Sequence, residues 1–166
     1  MWKAAVVTVS DRCFAGFRDD LTGYRLREVL AQEGYDVVDV KIVPDEIDKI
    51  AEILQFLCDV VHCDLVVTNG GTGVSPRDVT PEATKKVIDR EVPGMAEAMR
   101  YESLKKTPNA MLSRAVVGIR GQSLIINLPG SPGGALENFT AIKAAIPHAL
   151  EKIHGDPSEC ASLKNK

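Results

Sequence analysis

The chain has little with which to chelate a metal or cross-link itself: four cysteines and three histidines in 166 residues. Cys13, Cys58, Cys63 and Cys160 form no C-x-x-C pair, and Cys58 and Cys63 do not share a helix face. They read as reduced thiols in a cytoplasmic protein, not as a zinc site or a disulfide framework. His62, His148 and His154 fall in helical patterns and cluster with nothing, which predicts surface or cap positions. The longest apolar runs, such as Ala4 to Val7 and Leu124 to Ile126, fall far short of the roughly 18 residues of a membrane span, so no membrane partner is expected. No charged n-region or cleavage site precedes the strand pattern that starts at Trp2, so no leader is expected either. Charge of one sign is also scarce. Twenty Lys and Arg against 23 Asp and Glu leave −3, which argues against holding nucleic acid by bulk charge. A small phosphorylated ligand stays open, because backbone N–H groups bind phosphate without net positive charge.

What is present is an alternation of strand and helix patterns. A chain of this length suits one domain that buries roughly 70% of its extended surface. Strands are expected at Trp2 to Val9, Tyr35 to Val43 and Asp64 to Thr68, with a polar loop from Ser10 to Asp20 after the first. Helical stripes cover Leu21 to Glu33, ending at Gly34, and the stretch opened by Asp45 with Ile47, Ile50, Ile53, Leu54 and Leu57 on one face. Thr80-Pro81 is read as cap and first helical residue, and Pro93 opens another helix to about Lys105. Ala115 to Ile119 and Ser123 to Leu128 flank Arg120-Gly121-Gln122, a hairpin signal. Ser131-Pro132 caps a last helix reaching about His154. The pattern predicts an α/β sheet covered on both faces, mostly parallel, with one antiparallel strand from the hairpin. The domain is expected over residues 1–154, with a polar, frayed tail over 155–166.

Ligands of open α/β sheets bind outside the carboxyl ends of the strands. Three unusual segments belong at that edge: Thr8-Val9-Ser10-Asp11-Arg12, Asn69-Gly70-Gly71-Thr72-Gly73 and Pro129-Gly130-Ser131-Pro132-Gly133-Gly134. Any one glycine loop can be a mere connection. Two at one edge, the second feeding a helix start, point to phosphate binding. Neither is a P-loop, and Gly71-Thr72-Gly73 meets Pro76 where a dinucleotide motif needs glycine. Asp78 lies beside the first glycine loop. If Thr80 caps the helix, Asp78 is free to hold a cation against a bound phosphate, which suggests Mg²⁺. An ion pair with Arg77 or an Asx-turn is the alternative. Asp45 can either cap its helix or reach the same edge.

Several runs resemble the molybdopterin adenylyltransferase family, which includes the bacterial MogA and MoaB proteins and the G domain of gephyrin. They are Lys41 to Ile47 (KIVPDEI), Gly70 to Gly73, Pro76 to Thr84 (PRDVTPEAT), Pro93 to Ala96, Met111 to Arg114, Gly118 to Gly121 and Leu124 to Ser131 (LIINLPGS). The similarity extends from about Val6 to His148. It implies a three-layer α/β/α domain, usually a homotrimer, that adenylylates molybdopterin with Mg²⁺ and ATP before metal insertion. A molybdenum-insertion protein is then an expected partner. Carried over by position, Asp45 and Asp78 match the functional acidic residues and would organise Mg²⁺. Gly70, Gly71, Thr72, Gly73 and Ser75, and Pro129, Gly130, Ser131 and Pro132, match ligand-binding loops. Ser10 and Asp11 match the first loop, and Ser113 and Arg114 belong to the same set. Arg12 follows the bacterial members, whereas Pro132-Gly133 replaces a basic pair of gephyrin, whose second domain and scaffold functions are not expected here. Arg77 or Arg114 is a candidate for neutralising charge. A molybdopterin carrier without catalysis would use the same loops and is the competing expectation.

Overall fold

The computed structural model describes residues 1–158. Its sheet is built around strands that are apolar on both faces, as interior parallel strands must be. Strand β1 (Lys3–Val9) is buried beyond its first residue, and β3 (Leu65–Asn69) and β6 (Ser123–Leu128) are buried throughout. With β2 (Asp36–Val43), β4 (Arg90–Glu91) and β5 (Val117–Arg120) they form a six-stranded sheet in the order β2-β1-β3-β6-β5-β4. β1 runs parallel to β2 and β3, and β3 parallel to β6. β5 alone is antiparallel to both its neighbours, the strand expected from the hairpin.

Helices cover both faces. On one side α2 (Leu21–Gln32), α5 (Pro93–Leu104), α6 (Pro132–Ile142) and α7 (Ile146–Ile153) pack Leu26, Leu30, Met99, Phe139 and Leu150 against the sheet. On the other, α3 (Ile47–Asp59) and α4 (Thr80–Val87) supply Ile50, Leu54, Leu57, Ala83 and Val87. This is the expected three-layer α/β/α arrangement. The chain leaves β1 for β2 on one side and returns to β3 on the other, so the order of connection reverses between β1 and β3. The crevice at that reversal is where such sheets bind ligands.

Several local expectations change. The polar loop after β1 contains a single-turn helix α1 (Asp11–Phe14), capped by Ser10, whose side chain accepts from the Cys13 N–H. The last helix is two: a 3-10 turn at Lys143–Ala145 separates α6 from α7, where Pro147 lies in the first turn and cannot donate to a continuous helix. The short β4 and a 3-10 turn at Pro108–Leu112 carry too few residues for a periodic signal. His62 is not helical; it adopts φ 58° in the turn before β3. His154 ends α7, with Nε2 3.0 Å from Asp64 Oδ1 and its ring on Trp2. Cys58 and Cys63 are buried free thiols; Cys160 lies outside the described residues. Of the expected frayed tail, Gly155 to Ser158 turn back on α7, Lys152 Nζ donating to the Asp156 carbonyl at 3.1 Å. Residues 159–166 lie outside the described residues.

Candidate active site

A cavity of about 650 Å³ opens at the carboxyl ends of β1, β2, β3 and β6. Ser10, Asp45, Gly70, Gly71, Asp78, Gly130, Ser131 and Pro132, all expected at a site, line it together. Thr72, Gly73, Ser113 and Pro129 instead line a neighbouring hollow of about 300 Å³, and Ser131 borders both. The two glycine loops therefore form the ridge between two recesses. Asp11, Ser75 and Arg114 line neither recess.

The ridge is held by close backbone approach. Gly70 has φ +95°, and a Cβ there would stand 2.2 Å from the Val9 carbonyl oxygen. A Cβ on Gly130 would stand 3.3 Å from Gly70 Cα, so the loops touch. The Gly70 N–H donates to the Leu128 carbonyl at 3.1 Å and is spent on the scaffold, against its expected use for phosphate. Gly71, Thr72, Gly73, Gly130 and Ser131 keep N–H groups with no hydrogen-bond partner among the described residues. Ser131 caps α6, its Oγ accepting from the Gly134 N–H at 3.2 Å, and brings that helix start to the cavity rim.

Thr80 does not cap α4. The cap position is Val79, and Thr80 Oγ1 donates to the Gly70 carbonyl at 2.9 Å, fastening the glycine loop to the helix. Asp78 is thus not freed by a capping Thr80, although it still reaches the cavity. Its Oδ2 accepts from the Ser75 N–H at 3.0 Å, three residues back in the chain, and so does not form the Asx-turn that was the alternative, in which the N–H two residues on would donate. Arg77 does not pair with Asp78: its Nε and Nη2 both donate to the Asp11 carboxylate at 2.9 Å. Asp45 is not a helix cap either. Glu46 holds that position, and Asp45 Oδ2 accepts from the Asp11 N–H at 2.9 Å.

Burial raises the pKa of Asp45 above the ordinary carboxylate value. The Asp11 N–H opposes that shift, and the charges of Asp11 and Asp78 add to it. The Arg77 hydrogen bonds hold Asp11 below the usual range, against a smaller effect of burial. Arg114 is a strut. Its Nε donates to the Gly73 carbonyl at 2.7 Å, one Nη to the Asp78 carbonyl at 2.7 Å, and it pairs with Glu82. With its donors engaged in this way, it holds the loop from Gly73 to Asp78.

Asp45 and Asp78 each keep one carboxylate oxygen with no hydrogen-bond partner among the described residues, and both line the cavity. Hard oxygen donors of this kind fit Mg²⁺, which ordinarily takes one or two carboxylates and completes its shell with water and phosphate. Among the described residues no group of three or more His, Cys, Asp or Glu is placed to hold a metal. Two carboxylates, each with an oxygen to spare, fit an ion whose remaining ligands are water and the phosphates of a substrate.

Asp20 and Thr22 were not anticipated, and Thr8 and Asn69 were expected at this edge only as members of longer segments. Asp20, buried beneath the cavity, caps α2 through the Gly23 N–H at 2.9 Å and accepts from Thr8 Oγ1 at 2.7 Å. Asn69 Nδ2 donates to Thr8 Oγ1 at 2.9 Å, and Thr22 Oγ1 donates to the Gly130 carbonyl at 2.7 Å. The only legible signal was an Asp immediately before a helical stripe; the cross-strand partners are far away in sequence.

Comparison with known proteins agrees with this geometry. Residues 5–148 match the family model described as a probable molybdopterin binding domain. The molybdopterin adenylyltransferase of Helicobacter pylori (strain J99) is 47% identical over 153 residues, covering 91% of this chain and 87% of that protein. The Escherichia coli K12 protein of the same name is 38% identical, covering 96% and 89%. The crystal structure of the molybdopterin biosynthesis enzyme MoaB from Thermus thermophilus superposes with a TM-score of 0.89 at 50% identity, covering 96% of this chain and all of that one. The matched span takes in both glycine loops, Asp45 and Asp78, and every strand from β2 to β6, and the chain belongs to the molybdopterin adenylyltransferase family of molybdenum cofactor biosynthesis enzymes.

Proposed function

We propose that the chain catalyses the Mg²⁺- and ATP-dependent adenylylation of molybdopterin with release of pyrophosphate. The observation that carries this reading is the meeting of two recesses at Ser131, with unpaired loop N–H groups on the ridge and the Asp45 and Asp78 carboxylates in the larger recess. A terminal phosphate oxygen of molybdopterin attacks the α-phosphorus of ATP. A new P–O–P bond forms, the bond between the α- and β-phosphates breaks, and pyrophosphate leaves with the electron pair. That nucleophile is mostly ionised at neutral pH, since its second pKa is about 6, so a strong general base is not required. The demand on the protein is to bring two anions together in line.

N–H groups of Gly71, Thr72 and Gly73 and of Gly130 and Ser131 would hold the phosphates from the two sides of the ridge. Asp45 and Asp78 would hold Mg²⁺, which supplies charge neutralisation on the transferring and leaving phosphates. The hydroxyls of Ser10, Ser113 and Ser131 remain available as donors to substrate, and Pro129 and Pro132 shape the recess walls. Asp11, Ser75 and Arg114 would act from behind the surface. We assign the working unit to a cytoplasmic homotrimer that passes its product to a molybdenum-insertion protein; sedimentation showing only monomer would contradict the trimer.

Purified protein given molybdopterin, ATP and Mg²⁺ is expected to form adenylylated pterin and pyrophosphate in equal amounts. Tight pterin binding with no ATP consumed would instead assign a carrier.

A further inference from the structure

We propose that Arg77 and Asp11 are positioning residues that aim the Asp45 carboxylate at the glycine loop and thereby set its affinity for the divalent cation, an inference that rests on the nucleotide reading above. Arg77 extends from the loop after β3 with its side chain 60% exposed, where an ion pair contributes little to folding. Its geometry is nonetheless constrained: the guanidinium forks onto both oxygens of Asp11, at 2.9 Å each. Bidentate pairing fixes orientation in a way a single contact does not.

Asp11 passes that constraint on. Its Oδ1 also accepts the Asp45 N–H at 3.0 Å, while its own N–H donates to Asp45 Oδ2 at 2.9 Å. One carboxylate thus ties together the loops that follow β1, β2 and β3. With Oδ2 anchored, the other Asp45 oxygen faces the glycine loop, 3.1 Å from the point where a Cβ on Gly71 would lie. Asp11 does not line the cavity and so acts through Asp45. The Arg77 charge also offsets a like-charge encounter. Without it, only the two backbone N–H groups would stand against the repulsion between the Asp11 and Asp45 carboxylates, and the free Asp45 oxygen would be held less firmly. Outer partners of this kind orient metal-ligating carboxylates and tune their affinity.

The test measures Mn²⁺ binding by electron paramagnetic resonance, with α,β-methylene-ATP present, for wild type, Arg77→Met, Arg77→Lys and Asp11→Asn. Arg77→Met is expected to weaken Mn²⁺ binding about tenfold, and Arg77→Lys, which keeps the charge but not the fork, by an intermediate factor. The melting temperature without ligand should stay within about 2 °C of wild type, because the pair is exposed. The KM for molybdopterin should stay within about twofold, since outer partners of a ligand act on the metal. Unchanged Mn²⁺ affinity in Arg77→Met overturns the proposal while the nucleotide reading stands. A fall in affinity matched by a large fall in melting temperature also overturns it, in favour of a general structural role. Wild-type protein that binds no Mn²⁺ with the nucleotide analogue overturns the nucleotide reading itself, and the positioning role with it.

Discussion

Asp11 and Asp45 exchange hydrogen bonds, each carboxylate accepting the other's backbone N–H, at 3.0 and 2.9 Å. Two acidic residues from separate loops are held against each other at the mouth of the cavity, and burial already disfavours the charged form of Asp45.

Replacing Asp45 by Asn should therefore separate activity from stability. Asn keeps an oxygen for the Asp11 N–H and loses the half-buried charge. Adenylylation is expected to fall by about 100-fold or more, whereas the melting temperature without ligand should hold or rise by about 1–3 °C. Turnover and a thermal melt on the same preparation check both. A large drop in stability would show that the charge stabilises the fold.

Arg114 should behave as a brace. Arg114→Ala leaves the Gly73 and Asp78 carbonyls without their donor, and should cost about 1–3 kcal/mol in urea unfolding. The KM for substrates should rise with it as the Gly73 to Asp78 loop loosens. Loss of turnover with unchanged unfolding would place the guanidinium on the substrate instead.

Gly70 tests the ridge. At φ +95°, with the Val9 oxygen 2.2 Å from where a Cβ would stand, Gly70→Ala combines backbone strain with a backbone clash. It should destabilise the protein by at least about 2 kcal/mol, read from the shift of the denaturation midpoint. Near-wild-type stability would mean that the two loops are not packed as described.

The thiols set an alkaline limit. Burial pushes Cys58 up to about 11 and Cys63 up to about 12. Their unfolded values lie near 8.5. Above that pH the unfolded chain loses protons that the native protein keeps, so this contribution is intact below about 8.5 and is lost progressively as pH rises towards the folded values. Urea midpoints measured from pH 7 to about pH 11 should decline, and Cys58→Ala together with Cys63→Ala should flatten the decline. An equal decline in the double variant would assign the pH dependence to other groups.

The sheet and its helices were legible because their patterns are local. Continuous apolar strands such as Ala4 to Val7, the stripe from Ile50 to Leu57 and the Arg120-Gly121-Gln122 hairpin each specify an element from a few neighbouring residues. The position of the site was legible too, since glycine loops after parallel strands must collect at one edge. What failed were inferences about partners. Thr80 looked like a cap and is a loop fastener, the ion pair of Arg77 weighed for Asp78 is made with Asp11 instead, and Arg114 spends donors on the Gly73 and Asp78 carbonyls. Each choice is made between residues well separated in sequence, where local propensity carries no information.

By itself, the sequence determined the layered α/β fold and the two glycine loops at its carboxyl edge, and it singled out Asp45 and Asp78 as candidates for that edge. Only the tertiary structure decided which N–H groups remain free, which side chains are committed to the scaffold and which carboxylates face each other. The reason is physical: periodicity and turn chemistry act between near neighbours, whereas hydrogen-bond satisfaction and charge pairing depend on residues that meet only after β1, β2 and β3 have been laid side by side.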